Sequence, residues 1–172
     1  MNAFLLMIPL FLIRFGLLGA MNKEALGRAA RFAPLEGNER IAYLVYQAAN
    51  IAIFLYPAFL KIRTGPPLFW AGLAVYAAGA AILAAAAAAF ARPDEKGLNT
   101  SGIYKVSRNP MYVGYFVYFC GCAALTRSAL LFAALLVFQL AAHWIILSEE
   151  RWCIGQLGEE YLDYMKRVRR YF

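Results

Sequence analysis

The sequence predicts an all-α membrane protein: a polytopic bundle of about five transmembrane helices followed by a cytosolic amphipathic helix at the C-terminus. Of its 172 residues, 63% are hydrophobic and 16% are charged, whereas soluble domains average about 45–50% and about 25%. The apolar residues form long continuous runs, and the basic residues collect on one side of them. These observations favour an integral membrane protein over a soluble globular domain or a disordered chain.

The apolar runs cover residues 3–20, 41–60, 68–91, 111–126 and 129–148. A helix needs about 20 residues to cross a bilayer, so four runs are long enough or nearly so. The fourth run has 16 residues and either spans by tilting or stops short of a full crossing. Arg127 and Ser128 alone separate the last two runs, which predicts a tight helical hairpin.

The basic residues predict the orientation of the chain. With five spans, thirteen Lys and Arg residues fall on the side of the C-terminus, three fall on the opposite side, and Arg14 lies inside the first run. Because Lys and Arg are retained on the cytoplasmic side, we expect the C-terminus and the 92–110 loop to be cytoplasmic. The expected location is the inner membrane of a bacterium or an archaeon.

The same sequence argues against two other classes of site. The basic residues lie between apolar runs and form no single patch, so nucleic-acid binding is not expected. The three cysteines have no metal-ligand spacing, so no metal site is expected.

The third run carries small residues that suit close helix packing. Gly72, Gly79 and the stretch from Ala84 to Ala89 lie in this run, and small residues let membrane helices approach closely. This face can serve an internal contact or a homodimer, and the sequence does not distinguish the two.

Two polar stretches are not explained by spanning a membrane. The 92–110 loop ends in Asn109-Pro110, which predicts the start of a helix. Glu149 and Glu150 follow an apolar helix directly, and His143 lies seven residues before Glu150, on the same helical face. Carboxylates at a membrane boundary usually have partners, and Arg108 and Arg151 are available cations. The simpler interpretations are a headgroup-binding connector and a solvated helix end.

The tail from residue 155 to 172 predicts an amphipathic helix on the cytoplasmic interface. Apolar or aromatic residues recur at intervals of three and four, namely Ile154, Leu157, Tyr161, Tyr164 and Val168. The basic residues of this tail are explained by lipid headgroups alone.

Together these stretches resemble a known superfamily. The segment GIYKVSRNPMYVG, an apolar hairpin and then EERWCIGQLGEEYLDYMKRVRR are similar to the membrane methyltransferases related to isoprenylcysteine carboxyl methyltransferase and phospholipid N-methyltransferase. The resemblance covers about residues 97–170. It divides the chain into an N-terminal membrane region, 1–91, and a catalytic region, 92–172.

The resemblance implies S-adenosylmethionine as methyl donor, with S-adenosylhomocysteine as product, and a lipid or lipidated acceptor that enters from the bilayer. The cofactor-binding residues that it implies are Gly102, Tyr104, Asn109, Pro110, Glu149, Glu150, Tyr161 and Tyr164. His143 is added from its position on the hairpin. The candidate catalytic residues are Arg108, Asn109, Tyr112, His143 and Glu150. Arg108 is a candidate anchor for an anionic group of the acceptor.

The acceptor is left open between two chemistries. Many carboxyl-methylating relatives have His where this chain has Asn109, and Asn cannot take up a proton near neutral pH. This difference favours a lipid amine over a carboxylate. The remaining alternatives are a sterol-type membrane reductase and a non-enzymatic membrane subunit.

Overall fold

The structure is a computed structural model that describes residues 1–29, 31–94 and 97–171. Two residues outside the described ranges are Phe172 and Lys96, which is one of the thirteen basic residues predicted on the side of the C-terminus. The helices are α1 (Ala3–Met21), α2 (Lys23–Arg28), α3 (Glu39–Leu55), α4 (Leu68–Phe90), α5 (Pro110–Thr126), α6 (Ala129–Leu157) and α7 (Glu159–Arg167). Short 3₁₀ turns cover Tyr56–Phe59 and Gly102–Lys105. The predicted all-α architecture is confirmed.

Among the residues that the structure describes, four helical segments are long and apolar enough to cross a bilayer. They are α1, α3 extended to Phe59, α4 and α6. Helix α5 has 17 residues and is about 26 Å long at 1.5 Å per residue, slightly less than the hydrocarbon core. The fourth run, which we expected either to tilt or to stop short of a full crossing, thus forms a helix that is shorter than those four segments.

Helices α5 and α6 form the predicted hairpin. Helix α5 begins at Pro110, a residue suited to the first turn of a helix. Arg127 adopts a left-handed conformation (φ 52°) at the end of α5, and Ser128 accepts a hydrogen bond from the backbone of Leu131 at the start of α6. These two residues reverse the chain without a longer loop.

Helices α4 and α5 touch through their backbones. A Cβ atom on Gly79 would lie 2.3 Å from the Tyr118 nitrogen, and one on Gly121 would lie 2.4 Å from the Tyr76 nitrogen. Gly72 also faces α5, where its nearest neighbours are Ala124 and Leu125. The small residues of the third run therefore serve an internal contact between membrane helices.

Gly79→Ala is expected to destabilise the protein by about 1–3 kcal/mol, because the added methyl group forces α4 and α5 apart. Gly155→Ala is the matched control, since nothing lies within 4 Å of the Cβ position there. That substitution is expected to be neutral or stabilising by about 0.5–1 kcal/mol. Thermal unfolding in detergent measures both effects, and equal melting temperatures for the two variants would contradict the close contact.

The bundle has two chemically different ends. At one end the backbone nitrogen of Ala3 donates to the Leu60 carbonyl, and the nitrogen of Arg63 donates to the Leu125 carbonyl. At the other end Asn22 caps α2 and donates to the Ala91 carbonyl, and Arg151 of α6 pairs with Glu39 of α3. The basic segments gather at this second end, as the sequence predicts.

The amphipathic C-terminal helix is present and is shorter than the apolar pattern indicates. Ile154 and Leu157 belong to α6, which ends at Gly158 (φ 55°). The buried residues of α7 are Tyr161 and Tyr164, and they pack in a small cluster with Leu98 and Val168. The apolar face of α7 is therefore covered by the protein itself.

Candidate active site

The residues before α5 are held by the end of the chain. The backbone nitrogen of Arg108 donates to the Arg169 carbonyl at 3.0 Å. The Arg170 carbonyl accepts from Ser107 Oγ at 3.2 Å and from Asn109 Nδ2 at 3.3 Å. The segment Ser107–Asn109 and the segment 168–171, which we call the tail strap, therefore lie side by side.

Glu150 joins these two segments to α6 through a buried ion-pair network. Arg108 Nη2 lies 2.8 Å from Glu150 Oε1, and Arg170 Nη2 lies 2.7 Å from Glu150 Oε2. The side chains of Arg108 and Glu150 are only 7% and 5% exposed. Two guanidinium groups thus neutralise one buried carboxylate with several charge-assisted hydrogen bonds.

Most of the remaining donors of Arg108 are used inside the protein. Its Nη1 donates to the carbonyls of Met165 and Val168 at 3.2 and 2.6 Å, and its Nε donates to Glu150 at 3.1 Å. In this arrangement Arg108 fixes the turn after α7 to the start of α5. Its role as an anchor for the acceptor stays a prediction.

Glu149 has a different environment from Glu150. Its Oε1 accepts a hydrogen bond from the Tyr112 hydroxyl at 3.1 Å. Within the described residues Glu149 makes no ion pair, and it is half-buried. A half-buried carboxylate without a basic partner is suited to bind a cation.

His143 has the Tyr171 hydroxyl as its partner. His143 Nδ1 and Tyr171 Oη are 2.8 Å apart, and the two rings lie 6.2 Å apart at an angle of 35°. His143 and Glu150 are therefore both attached to the tail strap, through Tyr171 and Arg170 respectively. The predicted common face of these two residues on α6 is consistent with these contacts.

The remaining predicted residues lie in the turn before α5 and on α7. Gly102 has a φ of 57°, which favours glycine and starts the turn that carries Tyr104. The Tyr164 hydroxyl donates to the Tyr104 carbonyl at 2.7 Å, and the rings of Tyr161 and Tyr164 are 5.9 Å apart. Burial raises the pKa of Tyr164 to about 12 and raises that of Tyr104. Both hydroxyls therefore stay protonated near neutral pH.

A second cleft lies on another face of α6. It has a volume of about 180 Å³ and is lined by Pro34, Glu36, Ser148, Arg151 and Trp152. Arg151 is held there by Glu39, with two N–O distances of 2.7 Å. Arg151 is therefore the partner of α3, not of the Glu149-Glu150 pair.

The sequence did not indicate several residues that contact the site. Arg170 fits only a basic cluster in the sequence, and Tyr171 carries no signal there, because a short tail without periodicity fits no functional pattern. Arg14 stands out in the sequence as the single charged residue of the first apolar run. Its position relative to the site depends on how α1 packs and could not be predicted.

Comparison with known proteins identifies the family of the chain. The family model described as phospholipid methyltransferase matches residues 65–160, more than half of the chain. The chain belongs to the phospholipid methyltransferase family. Membership confirms the predicted resemblance and, with the apolar helices, makes the chain an integral membrane protein. The match includes Glu149 and Glu150, and it ends before the tail strap.

A curated relative of this phospholipid methyltransferase family member is methanethiol S-methyltransferase 1 from Bradyrhizobium diazoefficiens. The two sequences are 38% identical over 66 residues, which make up 38% of this chain and 22% of the relative. The matched segment thus spans about a fifth of the relative's length. No solved structure matches the chain.

Proposed function

We propose that this protein transfers a methyl group from S-adenosylmethionine to the amine of a membrane lipid. Family membership supports methyl transfer as the reaction class. The single observation that carries the proposal is Glu149, a half-buried carboxylate that is hydrogen-bonded to Tyr112 and has no cationic partner among the described residues.

The residues around Glu149 fit S-adenosylmethionine, which carries a sulfonium and an ammonium group. The Glu149 carboxylate would bind one of these cations, with the electron-rich ring of Tyr112 beside it. When bound, the cofactor supplies an electrophilic methyl carbon, whose bond to sulfur breaks as the bond to the acceptor nitrogen forms. The protein contributes orientation and the exclusion of water.

An amine acceptor must lose a proton before it can attack. The Tyr112 hydroxyl, already donating to Glu149, offers a path in which Tyr112 takes up the amine proton and passes its own proton to the carboxylate. His143, hydrogen-bonded to Tyr171, is the alternative base. Comparing the pH profiles of Tyr112→Phe and His143→Gln distinguishes the two.

The orientation is part of the proposal. The end of the bundle that carries Glu149 and the tail strap also carries most of the basic residues. We place this end in the cytoplasm, where Lys and Arg are retained and where S-adenosylmethionine is made.

The test is methyl transfer by the purified protein. Protein in detergent is mixed with methyl-labelled S-adenosylmethionine and one of three acceptors, which are phosphatidylethanolamine vesicles, methanethiol and a farnesylated cysteine. We expect label in the phosphatidylethanolamine headgroup. Labelling of methanethiol or of the carboxylate instead would replace the amine by a thiol or an acid acceptor. Binding of NADPH without binding of S-adenosylmethionine in calorimetry would overturn methyl transfer altogether.

A further inference from the structure

Arg14 is a charged residue inside an apolar membrane helix. It lies seven residues before the end of α1, about 10 Å along the helix axis. The helix is widened to π geometry over Leu12–Leu17, a distortion that is often found at functional sites. A cation at this depth is costly unless something binds it.

The partners of Arg14 are neutral. Its Nη1 donates to the Tyr115 hydroxyl at 3.0 Å, and its Nη2 donates to the Ala29 carbonyl at 2.8 Å. Among the described residues no carboxylate forms an ion pair with Arg14. The guanidinium group is therefore held in place by two hydrogen bonds, while its positive charge is left without a counter-ion.

The surroundings of Arg14 are open toward the lipid. Arg14 is half-buried, and the neighbouring Leu12 and Phe15 are 63% and 57% exposed. Arg14 also helps to line a small cavity of about 10 Å³, together with Leu83, Met111 and Tyr115 among others. This volume is close to the room that a single water molecule needs, and one oxygen atom of an anionic group fits the same space.

Arg14 and Glu149 are two ends of one polar cluster. Tyr112 hydrogen-bonds Glu149, and Tyr115 hydrogen-bonds Arg14. These two tyrosines are three residues apart on α5 and are therefore neighbours on the helix surface. A carboxylate thus lies at one end and a guanidinium at the other. This charge order matches a zwitterionic ligand whose amine is at the Glu149 end and whose phosphate is at the Arg14 end.

We propose that Arg14 binds the phosphate of the acceptor phospholipid as it enters from the bilayer beside α1. The inference rests on the proposed function, because it places the acceptor amine near Tyr112 and Glu149. Tyr115 and the Ala29 carbonyl orient the guanidinium group, and the phosphate supplies the missing negative charge. Arg14 is thus the residue that selects an acceptor with an anionic headgroup.

The first measurement is lipid retention by native mass spectrometry, which does not depend on activity. Arg14→Gln is expected to lose phosphatidylethanolamine and phosphatidylglycerol by about tenfold to a hundredfold, the range that a charge-assisted hydrogen bond supports. Retention of neutral diacylglycerol is expected to stay the same. Arg14→Lys keeps the charge and is expected to retain most of the binding. Arg63→Gln, an exposed arginine at the opposite end, is the matched control.

Kinetics and competition provide the second measurement. Arg14→Gln is expected to raise KM for phosphatidylethanolamine at least tenfold, with kcat and the affinity for S-adenosylmethionine changed less than about threefold. If Arg14→Gln does not fold, Tyr115→Phe, which removes one orienting hydrogen bond, is expected to weaken phospholipid retention by about threefold. Displacement of the lipid by glycerophosphoethanolamine or inorganic phosphate at equal concentration would identify a soluble phosphate ligand and overturn the lipid assignment.

Two other outcomes overturn the inference. Equal phospholipid retention by the original protein and Arg14→Gln would leave Arg14 with only a structural role, and an equal loss of diacylglycerol would indicate general damage. If the protein methylates none of the three acceptors while Arg14→Gln still loses phospholipid selectively, the methylation proposal fails and the phosphate site stands.

Discussion

Glu149→Gln is expected to lower the affinity for S-adenosylmethionine by at least about thirtyfold and to stop methyl transfer. The substitution keeps the size of the side chain and can still accept from Tyr112, but it removes the negative charge. Without the Glu149 charge as counter-ion, the cationic group of S-adenosylmethionine binds more weakly, because charge-assisted hydrogen bonds are roughly twice as strong as neutral ones. Isothermal calorimetry on protein in detergent measures the affinity.

Glu159→Gln is the control for this experiment. Glu159 is an exposed carboxylate in the first turn of α7, at the same end of the bundle, so its loss changes net charge equally without touching the cluster around Glu149. We expect its affinity for S-adenosylmethionine to match that of the original protein. Equal losses in both variants would show a general electrostatic effect and would remove Glu149 from the binding site.

Glu150→Gln is expected to act on stability first. It leaves the guanidinium of Arg108, which is 7% exposed, without its ion pair, and it frees Arg170 of the tail strap. Breaking a buried ion pair by removing one partner costs about 3–5 kcal/mol. The expected result is a marked drop in melting temperature, with loss of activity following from the displaced strap.

Asp163→Asn supplies the comparison for Glu150. Asp163 pairs with Lys166 at 2.8 Å on the exposed face of α7, where the two side chains are 61% and 70% exposed. Exposed pairs contribute little, so we expect no measurable change in melting temperature. A Glu150→Gln protein that melts like the original and has lost only its cofactor would instead show that Glu150 contacts the cofactor directly.

The adjacent pair Glu149-Glu150 shows how far sequence reasoning reaches. The sequence identified both carboxylates and the arginine at position 108 as members of one site. It gave a catalytic role to Glu150 and only a cofactor-binding role to Glu149. Their actual partners could not be predicted, because successive helical residues point about 100° apart and the neighbours of each depend on tertiary packing. The structure gives Glu150 two arginines and gives Glu149 a tyrosine.

The membrane helices were more predictable than the tail. Long apolar runs and the two-residue break at Arg127-Ser128 specify helices and a hairpin by local rules. The tail strap is too short to show such a periodicity. It is positioned by hydrogen bonds to the segment before α5, and these contacts are not visible in the sequence. The periodic pattern also continued through Gly158, where the chain turns from α6 into α7.

The close contact of α4 with α5 also limits how the bundle can move. Gly79 and Gly121 bring the two backbones together without intervening side chains. Because no side chain lies between the helices there, rotamer changes cannot widen the contact. We therefore expect the two helices to move as one rigid body. The first half of α1 is also fixed to this frame, because the Leu6 carbonyl accepts hydrogen bonds from the hydroxyls of Tyr76 and Tyr118. The segment Leu12–Leu17, by contrast, has no buried residue. Motions that admit a lipid molecule are therefore expected around Leu12–Leu17, next to Arg14, while α4 and α5 stay in place.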